Sequence, residues 1–288
     1  MRSPGPNSHG PRGVAEAGYT IHGTPGPIAL GSPDEAAAEC PRCGKPHPLR
    51  IRFCPNCGLK VDADGGSRAA GAKVQPGSVS LLLLRGMGAS GTSFRLKDEV
   101  NQVGRTEGLI RFPSDDTLSP LAASFFYRGG RLYVRDEGGP SGVFLRLNLP
   151  AVLLPNDWFS IGDKLLRFLG RVPPPHPEPT VPRHLGSMRT GSGPLLRIQL
   201  VHLGGVGGRV FALPAPLRIG RALGEVIFGD DPFISTRHCE LDVDPAGAVI
   251  RDLGSSNGTF IRLAAGSERE LNPGDTIRLG RNILRVDP

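Results

Sequence analysis

The amino-acid sequence predicts an all-β protein with two β-sandwiches in tandem, and three observations support this prediction. Short apolar runs, often alternating with polar residues, are separated by turn-forming residues at regular spacing. No apolar pattern of helical period lasts three turns or more, which argues against a helical bundle. Two long segments of the chain also repeat each other. The 288 residues leave room for two medium domains and one small module.

The internal repeat joins residues 77–170, the first repeat, to residues 195–288, the second repeat. Arg105, Ser119 and Asp136 match residues 221, 235 and 252 at one offset (221 − 105 = 116). Residues 153–162 then match residues 271–280 at an offset of 118 (271 − 153), so only a two-residue insertion breaks the register. A constant offset over so many positions indicates a tandem duplication.

The remaining segments differ in composition from the repeats. Residues 1–38 lack an apolar pattern and are predicted to be a disordered tail. Residues 62–76 are predicted to be a flexible linker, and the proline-rich residues 171–194 a semi-rigid linker. Within the second repeat the predicted strands are Leu195–Leu200, Arg209–Leu213, Leu217–Gly220, Cys239–Val243, Ala248–Asp252, Thr259–Leu263, Thr276–Leu279 and Ile283–Val286.

Four cysteines between the tail and the first linker have the spacing of a zinc site. Cys40 and Cys43 form one C-x2-C pair, and Cys54 and Cys57 form a second after ten intervening residues. Two such pairs place four thiolates around one tetrahedral metal ion. Disulfides or a dithiol redox pair are the alternatives. Residues 39–61 are therefore predicted to be a short zinc ribbon with one structural zinc ion.

The net charge of the chain and its expected cellular compartment narrow the classes of function that it can have. The chain has a formal net charge of +7, but residues 195–288 carry eleven arginines against eleven acidic residues, and residues 77–170 carry eleven basic against nine acidic residues. Positive charge distributed this evenly, without a basic cluster, argues against a nucleic-acid-binding surface. The first thirty residues hold no apolar signal segment, and Leu81–Leu84 is too short to cross a bilayer. We therefore expect a cytoplasmic protein, in which thiols stay reduced.

Three loop motifs of the second repeat carry groups that bind oxyanions. They are Ile219-Gly220-Arg221, Ser235-Thr236-Arg237-His238 and Gly254-Ser255-Ser256-Asn257-Gly258-Thr259. Hydroxyl and amide donors next to a guanidinium suit a phosphate group. Other interpretations are a simple Asn-Gly hairpin turn, a buried core histidine, and a Ser235–His238 nucleophile pair. The last lacks a nucleophile elbow and an orienting acid, so the sequence predicts binding and no enzyme activity.

These motifs, with Asn272-Pro273-Gly274-Asp275 and Gly280, resemble a forkhead-associated (FHA) domain over essentially all of residues 195–288. The resemblance implies an eleven-stranded β-sandwich whose end loops bind phosphothreonine peptides. By position, Arg221 and Ser235 would bind the phosphate, with Thr236 and Arg237 beside them. Ser256 and Asn257 would hold the phosphothreonine and the peptide main chain, while Gly220, His238 and Gly258 would fix the loops.

The first repeat departs from this pattern. Arg105 and Ser119 remain, but Ala122 stands where the second repeat has its histidine, and Ser141 where it has its asparagine. Residues 77–170 are thus expected to form a degenerate FHA-like sandwich whose peptide binding is weak, altered or lost. Two explanations of the altered loops remain open: mutational drift of a structural duplicate, and acquisition of a new function.

We expect a non-enzymatic, bacterial signalling adaptor that binds threonine-phosphorylated proteins, such as a Ser/Thr kinase or its substrates. The rival hypothesis is a transcription-linked protein whose zinc ribbon reads nucleic acid, with basic side chains at positions 42, 45, 50, 52 and 60. A third hypothesis is that a phosphorylated threonine of the tail or proline-rich linker (Thr20, Thr24 or Thr180) binds the second repeat.

Overall fold

The computed structural model describes residues 37–39, 46–48, 73–173 and 193–288. Strands β1 (Ala37–Glu39) and β2 (Pro46–Pro48) form an antiparallel pair around residues 40–45. The four cysteines of the predicted zinc site, Thr20, Thr24, Thr180 and most of the predicted tail and linkers lie outside the described residues. Two predicted boundaries are wrong: residues 37 and 38, predicted to be in the tail, belong to β1, and residues 171 and 172, predicted to be in the proline-rich linker, continue a strand that begins at Lys164, because their backbone pairs with that of residues 195 and 196. The described residues form no helix long and apolar enough to span a membrane.

The first repeat contributes ten strands. They are β3 (Ser80–Arg85), β4 (Ser93–Arg95), β5 (Val100–Gly104), β6 (Ile110–Arg111), β7 (Ala123–Arg128), β8 (Arg131–Asp136), β9 (Val143–Arg146), β10 (Ala151–Leu153), β11 (Trp158–Ile161) and β12 (Lys164–Val172).

The second repeat contributes ten more. They are β13 (Leu195–Val201), β14 (Gly207–Pro214), β15 (Leu217–Gly220), β16 (Val226–Ile227), β17 (Cys239–Asp244), β18 (Gly247–Asp252), β19 (Thr259–Arg262), β20 (Glu268–Leu271), β21 (Thr276–Leu279) and β22 (Asn282–Asp287). The all-β prediction is confirmed, and β16 and β20 are strands that the sequence did not reveal. Both are short, and neither has a long alternating apolar pattern.

These twenty strands build two sandwiches that share one sheet. A ten-stranded sheet runs in the order β14-β13-β12-β11-β19-β9-β21-β22-β3-β4. One five-stranded sheet, β20-β8-β7-β5-β6, supplies the second layer of the first sandwich. The other, β10-β18-β17-β15-β16, supplies the second layer of the second sandwich. Each sandwich therefore has ten described strands instead of the eleven that the family resemblance implies. The connection between the seventh and eighth strands is residues 147–150 in the first repeat and residues 263–267 in the second. Each connection is too short to form a further pair of strands.

The two sandwiches do not coincide with the two repeats, because the repeats exchange their last three strands. Strands β10, β11 and β12 of the first repeat pair with β18, β19 and β13 of the second. In return, β20, β21 and β22 pair with β8, β9 and β3. The predicted segments 77–170 and 195–288 are thus repeats of sequence, and each sandwich is assembled from both.

The buried residues follow the same exchange. The core of the first sandwich contains Phe125 and Val134 of the first repeat together with Ile277 and Leu284 of the second. The core of the second sandwich contains Phe159 and Phe168 from β11 and β12 among residues of the second repeat, which include Leu241 and Ile250. Neither repeat on its own contains the whole core of either sandwich.

Pairing between β9 and β19 joins the two halves of the shared sheet. These seventh strands of the two repeats are antiparallel, and Leu145 faces Ile261, its counterpart at the repeat offset. An unpaired edge strand invites association with other chains, so this pairing protects both edges. The short connections after β9 and β19 serve as hinges of the exchange, in the manner of domain swapping.

Arg278 links the repeats on the outer face of the shared sheet. Its guanidinium donates to Ser160 Oγ at 3.0 Å and to the Gly162 carbonyl, while its Nε donates to the Gly280 carbonyl at 2.9 Å. Burial lowers the pKa of Arg278 to about 10, which still leaves it cationic at neutral pH. A charge held by these acceptors fixes the register of two hairpins that come from different repeats.

Candidate functional site

The candidate site lies on three loops at one end of the second sandwich. They follow β15, precede β17, and connect β18 to β19. The first two loops are joined through backbone: the Arg221 amide donates to the Ser235 carbonyl at 2.9 Å, and the Leu223 amide donates to the Thr236 carbonyl at 2.9 Å. Any side chain at Gly220 would overlap the Thr236 carbonyl oxygen, so only glycine permits this approach.

His238 connects the loop that precedes β17 to the loop between β18 and β19. It is fully buried; its Nδ1 accepts the Ser235 amide at 3.1 Å, and its Nε2 lies 3.1 Å from the Gly258 carbonyl. Because Nδ1 accepts, the proton of the neutral ring is on Nε2, which donates to that carbonyl. The structure therefore places His238 in the loop-fixing position that the family resemblance implied.

Burial lowers the pKa of His238 below the ordinary histidine value, which makes the site acid-sensitive. The unfolded chain then binds the proton more readily than the folded chain, so stability falls as pH drops through the ordinary histidine pKa of about 6.5. The slope is at most about 1.4 kcal/mol per pH unit for one proton. We expect chemical denaturation to show the second sandwich less stable at pH 5.5 than at pH 7.5.

His238→Gln is the control for this prediction, since its amide does not titrate in that range. The variant should lose part of the pH dependence between 7.5 and 5.5. An identical pH dependence in the variant and the wild type would contradict the role of His238.

The 254–258 loop is organised around Asp252. This carboxylate accepts the Gly254 and Ser255 amides and the hydroxyls of Ser255 and Thr259, at 2.7–2.9 Å. The Ser255 hydroxyl in turn accepts the Gly258 amide at 2.9 Å. Burial by itself would raise the pKa of Asp252, but the hydrogen bonds from Ser255 and Thr259 hold the pKa below its ordinary value. The carboxylate thus remains ionised and holds the loop.

Two cross-links bring the predicted binding groups together. The Ser256 amide donates to Ser235 Oγ at 3.1 Å, and the Asn257 carboxamide nitrogen donates to the Phe233 carbonyl at 2.8 Å. Among the described residues, the Ser235 hydroxyl proton and the Asn257 carboxamide oxygen have no hydrogen-bond partner and are available to a ligand. The predicted residues Ser235, Ser256 and Asn257 therefore share one surface at this end of the second sandwich.

The arginines at the site are exposed. Arg221 and Arg237 are both exposed, as is Thr236. Within the described part of the chain, the guanidinium groups of Arg221 and Arg237 make no hydrogen bond or ion pair. A guanidinium without a protein partner is available to an anion. The loops present guanidinium, hydroxyl and amide groups, and the lone pair of His238 Nδ1 is occupied by the Ser235 amide.

The corresponding loops of the first sandwich are closed on themselves. Ser119 Oγ and Ser141 Oγ are hydrogen-bonded at 2.8 Å, and each oxygen also accepts the other residue's amide, at 3.1 and 3.2 Å. Ser119 is only 4% exposed. The Arg105 amide still donates to the Ser119 carbonyl at 2.9 Å, so the backbone frame survives. The hydroxyl that would meet a phosphate in the second sandwich is internally satisfied here.

The sequence motifs predicted no role for Asp231 or Asp252, and Ser255 entered only as a member of the 254–259 motif. The structure shows that all three build the site. A signal existed for Asp252, because Asp136 repeats it at the offset of 116 residues. Asp136 accepts the Gly138 amide at 2.7 Å and the Val143 amide at 2.8 Å in the first sandwich. An aspartate at the end of the sixth strand is thus a loop organiser in both repeats.

A cavity of about 590 Å³ lies elsewhere, between the two hinges. Its lining includes Leu145, Leu149, Leu154, Ile261 and Leu263, and it contains none of the predicted phosphopeptide residues. Charged residues such as Arg146, Arg262 and Glu268 also line this cleft, which is separate from the loops of the candidate site.

The second sandwich carries hydroxyl groups, a carboxamide and exposed arginines on the loops at one end. The family described as "FHA domain" matches residues 217–280. Relatives include the FHA domain-containing protein FhaB of Mycobacterium tuberculosis, which is 31% identical over 83 residues, or 28% of this chain and 54% of that protein. The match thus spans about half the length of that relative.

A second relative is the oxoglutarate dehydrogenase inhibitor of Corynebacterium glutamicum, 30% identical over 103 residues, or 35% of this chain and 71% of that protein. A solved structure described as a structural and functional analysis of phosphothreonine-dependent FHA domain interactions is 32% identical. That match covers 33% of this chain and 96% of the other, with a TM-score of 0.21. The chain belongs to the FHA domain family.

Proposed function

We propose that this protein is a phosphothreonine-dependent adaptor that binds its partners through the loops of the second sandwich. The observation that carries the proposal is the convergence of Ser235, Ser256 and Asn257. The Ser256 amide donates to Ser235 Oγ, the Asn257 carboxamide donates to the carbonyl of residue 233, and the Ser235 amide donates to His238 Nδ1. The exposed guanidinium of Arg221 stands at the end of the adjoining strand.

The chemistry of phosphothreonine fits these groups. The phosphate brings a charge of about −1.5 to −2 and three acceptor oxygens. Arg221 supplies the opposite charge, the hydroxyls of Ser235 and Thr236 supply donors, and Arg237 adds a second cation nearby. The Asn257 carboxamide oxygen accepts a peptide amide. No proton transfer is required, which supports a binding function without catalysis.

The proposed partners are threonine-phosphorylated proteins, either a Ser/Thr kinase or its substrates, in the cytoplasm of a bacterium. The relative in Corynebacterium is named for inhibition of an enzyme, which supports a role exerted by binding another protein. The internally bonded hydroxyls of Ser119 and Ser141 support a first sandwich whose phosphopeptide binding is lost or altered.

Calorimetry with a phosphothreonine peptide library tests the function. We expect phosphorylated peptides to bind the full chain, and the same peptides to lose measurable binding after phosphatase treatment, because the charge that pairs with the arginines is then gone. Equal binding of both peptide forms would refute the proposal. A pull-down from phosphorylated lysate, with and without phosphatase, extends the test to whole proteins.

We also propose one structural zinc ion bound by Cys40, Cys43, Cys54 and Cys57. The spacing of the four cysteines matches a tetrahedral thiolate site, and the antiparallel pairing of β1 with β2 supports it, since it brings together the chain that flanks the first cysteine pair. Metal analysis of the purified chain should find about one zinc per molecule, and a Cys40→Ser, Cys43→Ser variant should lose it. The Cys239→Ser variant is the matched control, because that thiol is buried in the second sandwich.

A further inference from the structure

The loop that carries Ser235 rests on the first repeat. We call residues 229–236, which precede β17 in the second sandwich, the 229–236 loop. The hairpin of β11 and β12 lies against this loop. The Asp163 amide of that hairpin donates to Asp231 Oδ2 at 2.8 Å, and the Phe233 amide donates to Asp231 Oδ1 at 2.9 Å. A single carboxylate, only 3% exposed, thus connects a turn of the first repeat to the loop backbone of the second.

The turn at Gly162 packs against the 229–236 loop and leaves no room for a side chain at position 162. Gly162 has φ +51°, and a Cβ on it would lie 2.6 Å from Ile234 Cγ1 and 2.7 Å from Asp231 Oδ2. Ile234 is fully buried and directly precedes Ser235. The position of the proposed phosphate-binding hydroxyl is therefore determined, through one peptide unit, by a turn of the other repeat.

Further side chains of the first repeat support the same loop from outside. Lys164 Nζ lies 2.6 Å from Asp230 Oδ2, and the Arg85 guanidinium lies 4.0 Å from the centre of the Phe233 ring. The Phe233 carbonyl in turn accepts the Asn257 carboxamide at 2.8 Å. Phe233 thus connects Arg85 to Asn257 in the 254–258 loop.

The 254–258 loop also touches the first repeat directly. Gly258 has φ +85°, and a Cβ there would lie 2.6 Å from Arg146 Nε, on strand β9. Two of the three loops of the proposed phosphopeptide site, the 229–236 and 254–258 loops, therefore contact the first repeat.

We infer that the first repeat positions the phosphopeptide site of the second sandwich, so that peptide affinity depends on the exchanged β11–β12 hairpin and, above all, on Gly162. This inference rests on the proposed function. It gives the degenerate repeat a definite role: its strands complete the binding sandwich, while its own loops are closed. Gly162, Asp163 and Arg85 act as positioning residues, since they touch the loop and not the phosphate.

The duplication supplies a matched control at the equivalent turn. Gly280 has φ +57°, and a Cβ on it would lie 2.5 Å from Asp115 Oδ2, in the first sandwich. The Arg281 amide donates to that same carboxylate oxygen at 2.8 Å, as Asp163 does to Asp231. If the repeats were not exchanged, Gly280 would support the 229–236 loop, and Gly162 would support the first sandwich.

The experiment compares Gly162→Ala with Gly280→Ala in the full chain, using calorimetry with the best phosphothreonine peptide from the library. Both substitutions strain a left-handed glycine, so both should lower stability. We expect Gly162→Ala to weaken peptide binding about tenfold or more, since displacement of a binding group by about 1 Å is enough for such a loss. Gly280→Ala should leave the affinity unchanged. Equal losses, or a loss confined to Gly280→Ala, would overturn the inference.

A cysteine pair tests the exchange even if the glycine variants fail to fold. Val152 faces Val249 in the exchanged arrangement, whereas without exchange it would face Tyr133, which here faces Glu270. We expect peptide mass mapping of the oxidised full chain to find the disulfide in Val152→Cys/Val249→Cys, and none between these positions in Val152→Cys/Tyr133→Cys. The reverse pattern would overturn the inference. If the wild type binds no phosphopeptide, the proposed function fails, while the disulfide map still decides the exchange.

Discussion

Replacement of Arg221 by alanine is expected to abolish most phosphopeptide binding while leaving the protein folded. The guanidinium is exposed and makes no ion pair or hydrogen bond among the described residues, so its removal costs the fold nothing that the structure shows. In the complex it would be the cation nearest the phosphate. Truncation of one partner of such a charge pair costs about 2–5 kcal/mol, which is roughly 30-fold in affinity or more.

Calorimetry with one phosphothreonine peptide measures this loss, and thermal unfolding checks the fold. Arg221→Lys should bind with intermediate affinity, because it keeps the charge and loses the planar fork of donors. Arg105→Ala is the matched control, since Arg105 holds the same place beside the closed loops of the first sandwich. Unchanged affinity in Arg221→Ala, or a comparable loss in Arg105→Ala, would contradict the assignment of the site.

Replacement of Asp252 by alanine is expected to remove both stability and binding. Four hydrogen bonds from Gly254, Ser255 and Thr259 converge on this half-buried carboxylate. Their loss leaves several donors without an acceptor, at a cost of about 2–4 kcal/mol after allowance for partial solvent access. Peptide affinity should fall as well, because Ser256 and Asn257 lose the loop geometry that presents them.

Asp136→Ala separates these two effects. Asp136 is fully buried and holds the equivalent loop of the first sandwich, so the variant should also lose stability. Its phosphopeptide affinity, measured well below the unfolding transition, should remain near that of the wild type. If both variants lost affinity equally, general destabilisation would explain the result, and Asp252 would have no specific role at the site.

Much of the fold followed from local patterns. The alternating residues of β17 and β18 and the turn between them specify a hairpin without reference to the rest of the chain. The predicted strand Leu217–Gly220 has the bounds that the structure gives, and Cys239–Asp244 is one residue longer than predicted. Strands of this kind are determined by side-chain period and turn chemistry, both of which are local properties.

The site was only partly predictable. Its hydroxyl and amide groups lie in short motifs that are visible in the sequence, and the structure brings Ser235, Ser256 and Asn257 together. The contribution of Asp231 was not visible, because its partner is the amide of Asp163, distant in sequence and in the other repeat. Backbone donors leave no compositional trace, so a contact of this kind cannot be inferred from residue types.

The sequence by itself determined that this chain is all-β, and it predicted the internal repeat and one complete set of the loop motifs. Only the tertiary structure decided which repeat completes which sandwich. The physical reason is that the repeats offer nearly the same complementary surfaces: β11 and β12 would fit either core by apolar pattern alone. The choice depends on the short hinges and on the pairing of β9 with β19, which are properties of the folded chain as a whole.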